Sequence, residues 1–258
     1  GINDLNGDGL LDYCMSDVAT KLPCMLSTSD GAYYEGGTAL GLVPTLEDHP
    51  ELPDDWEERL NNPYDSVWVS WGLGMVDFDN DGYLDMAAAA GPALSNGNLS
   101  ATWFGDFQPD WIWKGNPDGG FDEAVLETGF GSTQFNYALV TADLHRDGHR
   151  EIILGTVEGT AAIWDNPCGS GAWLEIDLIG NEQNGEGYGA MVIVEVNGRQ
   201  DIQEMHNLHA GGQSVSQLHF GLGDAETVDK ITVRWTSGEE SIASNVKTRR
   251  FITVTHPD

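Results

Sequence analysis

Three stretches of the chain carry acidic side chains at alternate positions around a glycine. Asp77-Phe78-Asp79-Asn80-Asp81-Gly82-Tyr83-Leu84-Asp85 is the fullest, with four aspartates in nine residues and glycine at the sixth. Asp4-Leu5-Asn6-Gly7-Asp8-Gly9-Leu10-Leu11-Asp12 keeps the same frame. Asp143-Leu144-His145-Arg146-Asp147-Gly148-His149-Arg150-Glu151 keeps it in degenerate form. Alternation around a turn-forming glycine aims short side chains at one centre, and hard oxygen donors of this kind suit Ca²⁺. An EF-hand would need a bidentate Glu at position twelve and flanking helices. Position twelve holds Met15, Ala88 and Leu154, and the flanks read as strands. The alternative is a loop whose ninth residue closes the shell, with a backbone carbonyl at position seven.

On this frame the central loop offers Asp77, Asp79, Asp81, the Tyr83 carbonyl and Asp85. The first loop offers Asp4, Asn6, Asp8, the Leu10 carbonyl and Asp12. The third offers Asp143, Asp147, His149 and Glu151, but it places His145, a poor calcium ligand, at position three beside Arg146. Two readings of the third loop stay open: a calcium site, or a metal-free loop closed by salt bridges. Zinc or copper at His145 and His149 lacks a tetrahedral donor set. Four carboxylates gathered without a cation repel one another at a cost that only protonation relieves.

The elements that must position these loops are short. The 258 residues include 33 glycines, and few long stretches lack Gly, Pro, Asn or Asp, which favours strands and turns over long helices. Apolar strands are expected at 66–76 and 84–90 around the central loop, at 111–114 and 124–126 as the outer strands of that unit, and at 136–142, 152–154 and 161–164 around the third. A strand is expected over 10–18, whereas residues 1–3 are too few to form the one that should precede the first loop. Residues 54–60 make the one plausible short helix, with acid at the N-terminal end where the dipole favours it. From 168 onward seven alternating segments (173–178, 190–196, 201–206, 215–220, 228–235, 241–246 and 250–255) predict a β-sandwich. The expected organisation is all-β: calcium-binding blades over 1–167, then a sandwich over 168–258.

Composition narrows the partners. Hydrophobic residues at 40% support a packed core, while 42 Asp and Glu against 11 Lys and Arg leave a formal charge of −31. Such a surface repels nucleic acid and anionic membranes, so neither is an expected partner. The three loops hold only about a quarter of the acids, so ligand clustering and a solvating acidic surface both contribute. No run of 18 apolar residues suggests a membrane span. Of three cysteines, Cys14 and Cys24 are close enough in sequence to bridge, which leaves Cys168 unpaired, buried or joined outside this chain. Loops of modest affinity and a disulfide suit an extracellular or cell-surface setting.

The acidic loops and their apolar flanks, above all Ser70-Trp71-Gly72-Leu73-Gly74-Met75-Val76 running into Asp77–Asp85 with Gly91-Pro92 beyond, resemble FG-GAP/VCBS repeats, the calcium-binding blades of integrin α-type propellers. The C-terminal part resembles the ASPIC/UnbV domain through Gly187-Tyr188-Gly189-Ala190, His219-Phe220-Gly221-Leu222-Gly223 and Trp235-Thr236-Ser237-Gly238. The resemblance implies a propeller followed by a sandwich, outside the cell, in adhesion or matrix interaction. Three loops specify about three blades, and a closed propeller takes four to eight. The partial propeller implies either a piece of a longer chain or self-association through open β edges, head to tail, in a ring or filament.

The function expected is therefore that of a secreted calcium-binding structural or adhesive protein that is not an enzyme, with calcium stiffening the blades and a glycan or surface protein as ligand. The alternative is a carbohydrate-binding module with Trp103, Trp111 and Trp113 as a stacking platform, although blade cores are also rich in aromatics. A hydrolase is the third class: no Gly-x-Ser-x-Gly elbow, phosphate loop, Cys-x-x-Cys pair or zinc-protease helix is present, and the many Asp/Glu pairs leave a glycosidase-like dyad open. His206 and His209 form a pair near a turn, read as satisfied loop histidines. His219 is read as structural, and Asn98-Leu99-Ser100 is a glycosylation sequon.

Overall fold

The computed structural model describes residues 1–19, 22–43, 68–91, 94–95, 98–99, 109–132, 134–157, 159–167, 169–209 and 212–257. The helix expected over 54–60, together with Trp103, Ser100 of the sequon and Cys168, falls outside them. The chain is all-β, with five sheets of three to five strands in a propeller-like arrangement.

The first sheet runs in the order β1 (Ile2–Asn3), β2 (Asp12–Cys14), β4 (Cys24–Ser27), β5 (Tyr33–Glu35). A strand does precede the first loop, two residues long, because pairing with β2 is all it needs. Cys14 and Cys24 stand opposite each other across β2 and β4 and form the expected disulfide. The second sheet contains β3 (Val18–Ala19), β6 (Trp68–Val76), β7 (Asp85–Ala90), β10 (Trp111–Gly115) and β11 (Phe121–Glu123), in the order β11-β10-β7-β6-β3. A two-residue ribbon of β8 (Leu94–Ser95) and β9 (Asn98–Leu99) lies between. The segment 124–126, expected as a strand, instead enters a one-turn helix, α1 (Val125–Thr128), that ends on the left-handed Gly129. The third sheet is β12 (Asn136–Ala142), β13 (Glu151–Thr156) and β14 (Ala162–Trp164).

Two sheets make up the C-terminal part. One orders β20 (Gln217–Gly223), β15 (Ala172–Ile179) and β23 (Arg250–Thr255), with β15 and β23 parallel. The other orders β17 (Arg199–Glu204), β16 (Met191–Val196), β21 (Thr227–Arg234) and β22 (Glu240–Lys247). All seven strands expected here form, each within a few residues of its expected bounds. A ribbon of β18 (Leu208–His209) and β19 (Gly212–Gln213) was not foreseen.

Burial follows the sequence pattern. β7 is buried along its whole length, and its alanine run lets bulky neighbours close over both faces. Sheets approach closely where glycine removes the side chain: a methyl on Gly72 would lie 2.5 Å from the Leu139 backbone nitrogen. One apolar cluster joins the three N-terminal sheets, from Leu5 to Leu154. A second, built on Leu174, Ile176, Val192, Val194, Phe220 and Val233, is shared by the two C-terminal sheets.

Candidate metal centre

Each acidic loop connects two adjacent antiparallel strands, and the register is the same in all three. The residue before position one pairs with position nine: Asn3 with Asp12, Val76 with Asp85, Ala142 with Glu151. Positions four and six are left-handed in every loop, at Gly7 and Gly9, Asn80 and Gly82, Arg146 and Gly148. Glycine takes that conformation freely, whereas Arg146 does so against the ordinary preference of a side-chain-bearing residue.

The backbone then donates to the acids in one pattern. The position-nine carboxylate accepts from the position-two N–H: Leu5 to Asp12 at 3.0 Å, Phe78 to Asp85 at 2.7 Å, Leu144 to Glu151 at 2.7 Å. The position-one aspartate accepts from positions five and six: Asp8 and Gly9 on Asp4, Asp81 and Gly82 on Asp77, Asp147 and Gly148 on Asp143. Position five accepts from position seven, namely Leu10 on Asp8, Tyr83 on Asp81 and His149 on Asp147. These bonds hold the side chains inward while leaving carboxylate lone pairs unused.

The loops differ in what faces the centre. In the central loop Asp77, Asp79 and Asp85 each place an oxygen within 4.8 Å of the others. Asp77 and Asp85 are buried, and the second oxygen of Asp85 accepts from the Gly115 N–H at 2.8 Å. Burial, and then the neighbouring acids, push both carboxyls well above the usual range. Lys114 on β10 pairs with Asp79 and, at 3.4 Å, with Asp81, and its ammonium is held up chiefly by Asp79. In the first loop burial raises Asp4 and Asp12, while Asn6 takes the place of one acid and accepts from the Asp8 N–H at 3.1 Å. In the third loop His145 turns to Asp165, 3.0 Å away, and the hydrogen bond it donates to that carboxylate raises the imidazole. Glu151 lies within 4.8 Å of this pair, and its carboxyl is raised by burial.

The central loop is also seated on the C-terminal sheets. Asn80, fully buried, donates from Nδ2 to the Gly148 carbonyl at 2.9 Å, which fixes its Oδ1 toward His219 Nε2 at 2.8 Å. His219 Nδ1 lies 2.9 Å from Glu175, its cross-strand neighbour in β15. Glu175 accepts from Arg150 Nη2 at 2.6 Å. Burial alone would raise Glu175, but Arg150 and His219 outweigh it and hold the carboxyl below the usual range. The Gly223 N–H donates to the Asn80 carbonyl at 2.9 Å, and Asn166 Nδ2 to the Phe78 carbonyl at 2.7 Å. Sequence reading placed His219 as structural and missed Asn80, Arg150 and Glu175. Glu175, a charge amid the apolar stretch Trp173-Leu174-Glu175-Ile176, was the available signal.

Other expectations resolve differently. Trp111 and Trp113 are fully buried and stack in the core at 6.1 Å, so they offer no sugar platform. His206 is half-buried and its imidazole is lowered by that burial; the side chain of His209 lies outside the described residues. A cleft of ≈ 380 Å³ lies between the first and central loops, with Arg199 over the Tyr83 ring at 5.6 Å. Among the described residues no helix is long and apolar enough to cross a membrane.

Residues 180–258 match the family described as ASPIC and UnbV, under a third of the chain. No curated protein shows significant similarity to the chain. The matched segment holds His219–Gly223, the part of β20 that meets the central acidic loop.

Proposed function

We propose that the protein is an extracellular calcium-clamped structural or adhesive protein, in which Ca²⁺ at the acidic hairpin loops holds neighbouring strands in register. The three N-terminal sheets are read as FG-GAP/VCBS-type blades and the two C-terminal sheets as a β-sandwich. The observation that carries this reading is the repeated loop: one register and one donor pattern three times over, converging in the central loop on the buried carboxylates of Asp77 and Asp85, while Lys114 pairs with Asp79 and Asp81 beside them.

The donor set fits the ion. Asp77, Asp79, Asp81 and Asp85, with the Tyr83 carbonyl, are all hard oxygens, and so are Asp4, Asn6, Asp8, Asp12 and the Leu10 carbonyl. Calcium supplies the charge that lets these acids stay ionised together. The third loop is read as the salt-bridged form, since His145 pairs with Asp165 and leaves Asp143, Asp147, His149 and Glu151 a poorer set. No residue is assigned a catalytic role.

Thermal unfolding in calcium and in EGTA tests the reading. An ion that binds only the folded state at about a hundredfold over Kd adds about 2.7 kcal/mol per site. For a chain of this size that is about 5–10 °C. An unchanged Tm in EGTA would sink the proposal.

A further inference from the structure

We propose that Asn80 and His219 are positioning residues for the cation of the central loop, so that cation binding and the docking of β20 strengthen each other. The inference rests on reading that loop as a calcium clamp and adds a coupling between the loop and the ASPIC/UnbV-type segment.

Asn80 sits between two ligand candidates, Asp79 and Asp81, in a left-handed conformation with φ 60°. Its carbonyl, its Oδ1 and its Nδ2 are all engaged outside its own loop, by the Gly223 N–H, His219 and the Gly148 carbonyl respectively. A rotation that swings Asp79 or Asp81 therefore breaks contacts to β20 and to the third loop at once. Among the described residues, the equivalent positions of the other loops have no such set of three hydrogen bonds. Gly7 is exposed without a side chain, and Arg146 is exposed with its guanidinium 4.1 Å above the Phe251 ring.

The far side of the anchor is stiff. His219 and Glu175 are opposite residues of β20 and β15, and Arg150 closes the chain of contacts two residues after Gly148. The result is a buried ring: Asn80, His219, Glu175, Arg150 and back through the third-loop backbone to Asn80. Gly221, in the same strand, brings its backbone against Asp77 so closely that a methyl there would lie 1.8 Å from Oδ2. Repulsion among Asp77, Asp79, Asp81 and Asp85 without a cation pushes on this seat, and a cation relieves it. Linkage makes the effect reciprocal: whatever docking adds to cation affinity, the cation adds to docking.

The test uses the full chain and Ca²⁺. Calorimetric titration is run in an Asp8→Ala background, which silences the first loop, with and without Asn80→Gly. Glycine keeps the left-handed backbone and deletes only the amide. Supporting residues around metal ligands are worth about 10–100-fold in affinity, and that is the loss expected for Asn80→Gly. His219→Gln, which retains a hydrogen-bonding amide, is expected to lose less than His219→Ala. Hydrogen exchange on the unmutated chain supplies a readout that needs no variant: amides of 217–223 gain protection as calcium is added. Calcium binding with unchanged protection at 217–223, or unchanged affinity in Asn80→Gly, overturns the coupling and leaves the clamp standing. No calcium binding at all overturns the clamp, and the coupling with it.

Discussion

His219 Nε2 lies 2.8 Å from Asn80 Oδ1, across 139 positions of sequence. The contact joins the acidic loop between β6 and β7 to the strand that carries the C-terminal family motif. It sits in a buried ring with Glu175 and Arg150, where breaking one partner of an ion pair costs about 3–5 kcal/mol. The acidic loop and the C-terminal sheets are thus held as one polar unit.

Unequal loops should respond unequally to the loss of one acid. Asp81→Asn is expected to remove most of the calcium-dependent rise in Tm contributed by the central loop. Asp147→Asn should leave the total rise close to that of the parent, because His145 already turns the third loop toward Asp165. Scanning fluorimetry of both variants in calcium and in EGTA checks the ranking.

Asp110 sets up a pH dependence away from the loops. It is fully buried, accepts from the Ala90 N–H at 2.8 Å and from Asn136 Nδ2 at 2.6 Å, and burial raises its carboxyl well above the usual range. Asn136 Oδ1 has no partner among the described residues. With the folded value raised, the native state takes up the proton first. Stability contributed here therefore rises as pH falls from neutrality toward the unfolded value of about 3.9, and levels off below it. Asp110→Asn, with the Asn136 amide turned over, keeps one hydrogen bond between the two side chains and removes the buried carboxylate. Urea unfolding should find it more stable than the parent by about 1–3 kcal/mol at neutral pH, with the gap closing on acidification.

Two glycines should separate docking from mere chain flexibility. Gly221→Ala drives a methyl into Asp77 and should cost about 1–3 kcal/mol and weaken calcium binding at the central loop. Gly185 has nothing within 4 Å of an added methyl, so Gly185→Ala should be silent in both measurements.

The Cys14–Cys24 bridge closes a separation of 10 residues beside Asp12. Replacing both cysteines with serine should cost roughly 2–3 kcal/mol from loop-closure entropy. Asp12 accepts from the Ser27 N–H across the same strands, so calorimetry should also show weaker calcium binding at the first loop.

Much of the local structure was legible because it is written in short-range patterns. Alternating acids around Gly9, Gly82 and Gly148 marked all three loops, and period-two alternation marked the seven C-terminal strands. Pairing that spans long stretches was not legible. β3 leaves the chain neighbourhood of the first sheet to become the edge of the second, beside β6, some fifty residues later. Nothing local at Val18 and Ala19 announces that partner. The segment after β11 shows the opposite failure: an apolar run suited to a strand turns into α1 once Glu123 accepts from the Val125 N–H.

By itself the sequence determined which residues could gather around a cation, because ligand type, spacing and the left-handed glycines are properties of nine consecutive residues. Tertiary structure alone decided how those loops are valued. It buried Asp77 and Asp85, turned His145 toward Asp165, and set Asn80 against His219. Desolvation and contacts between distant strands fix each of these outcomes, and neither is encoded in a local pattern.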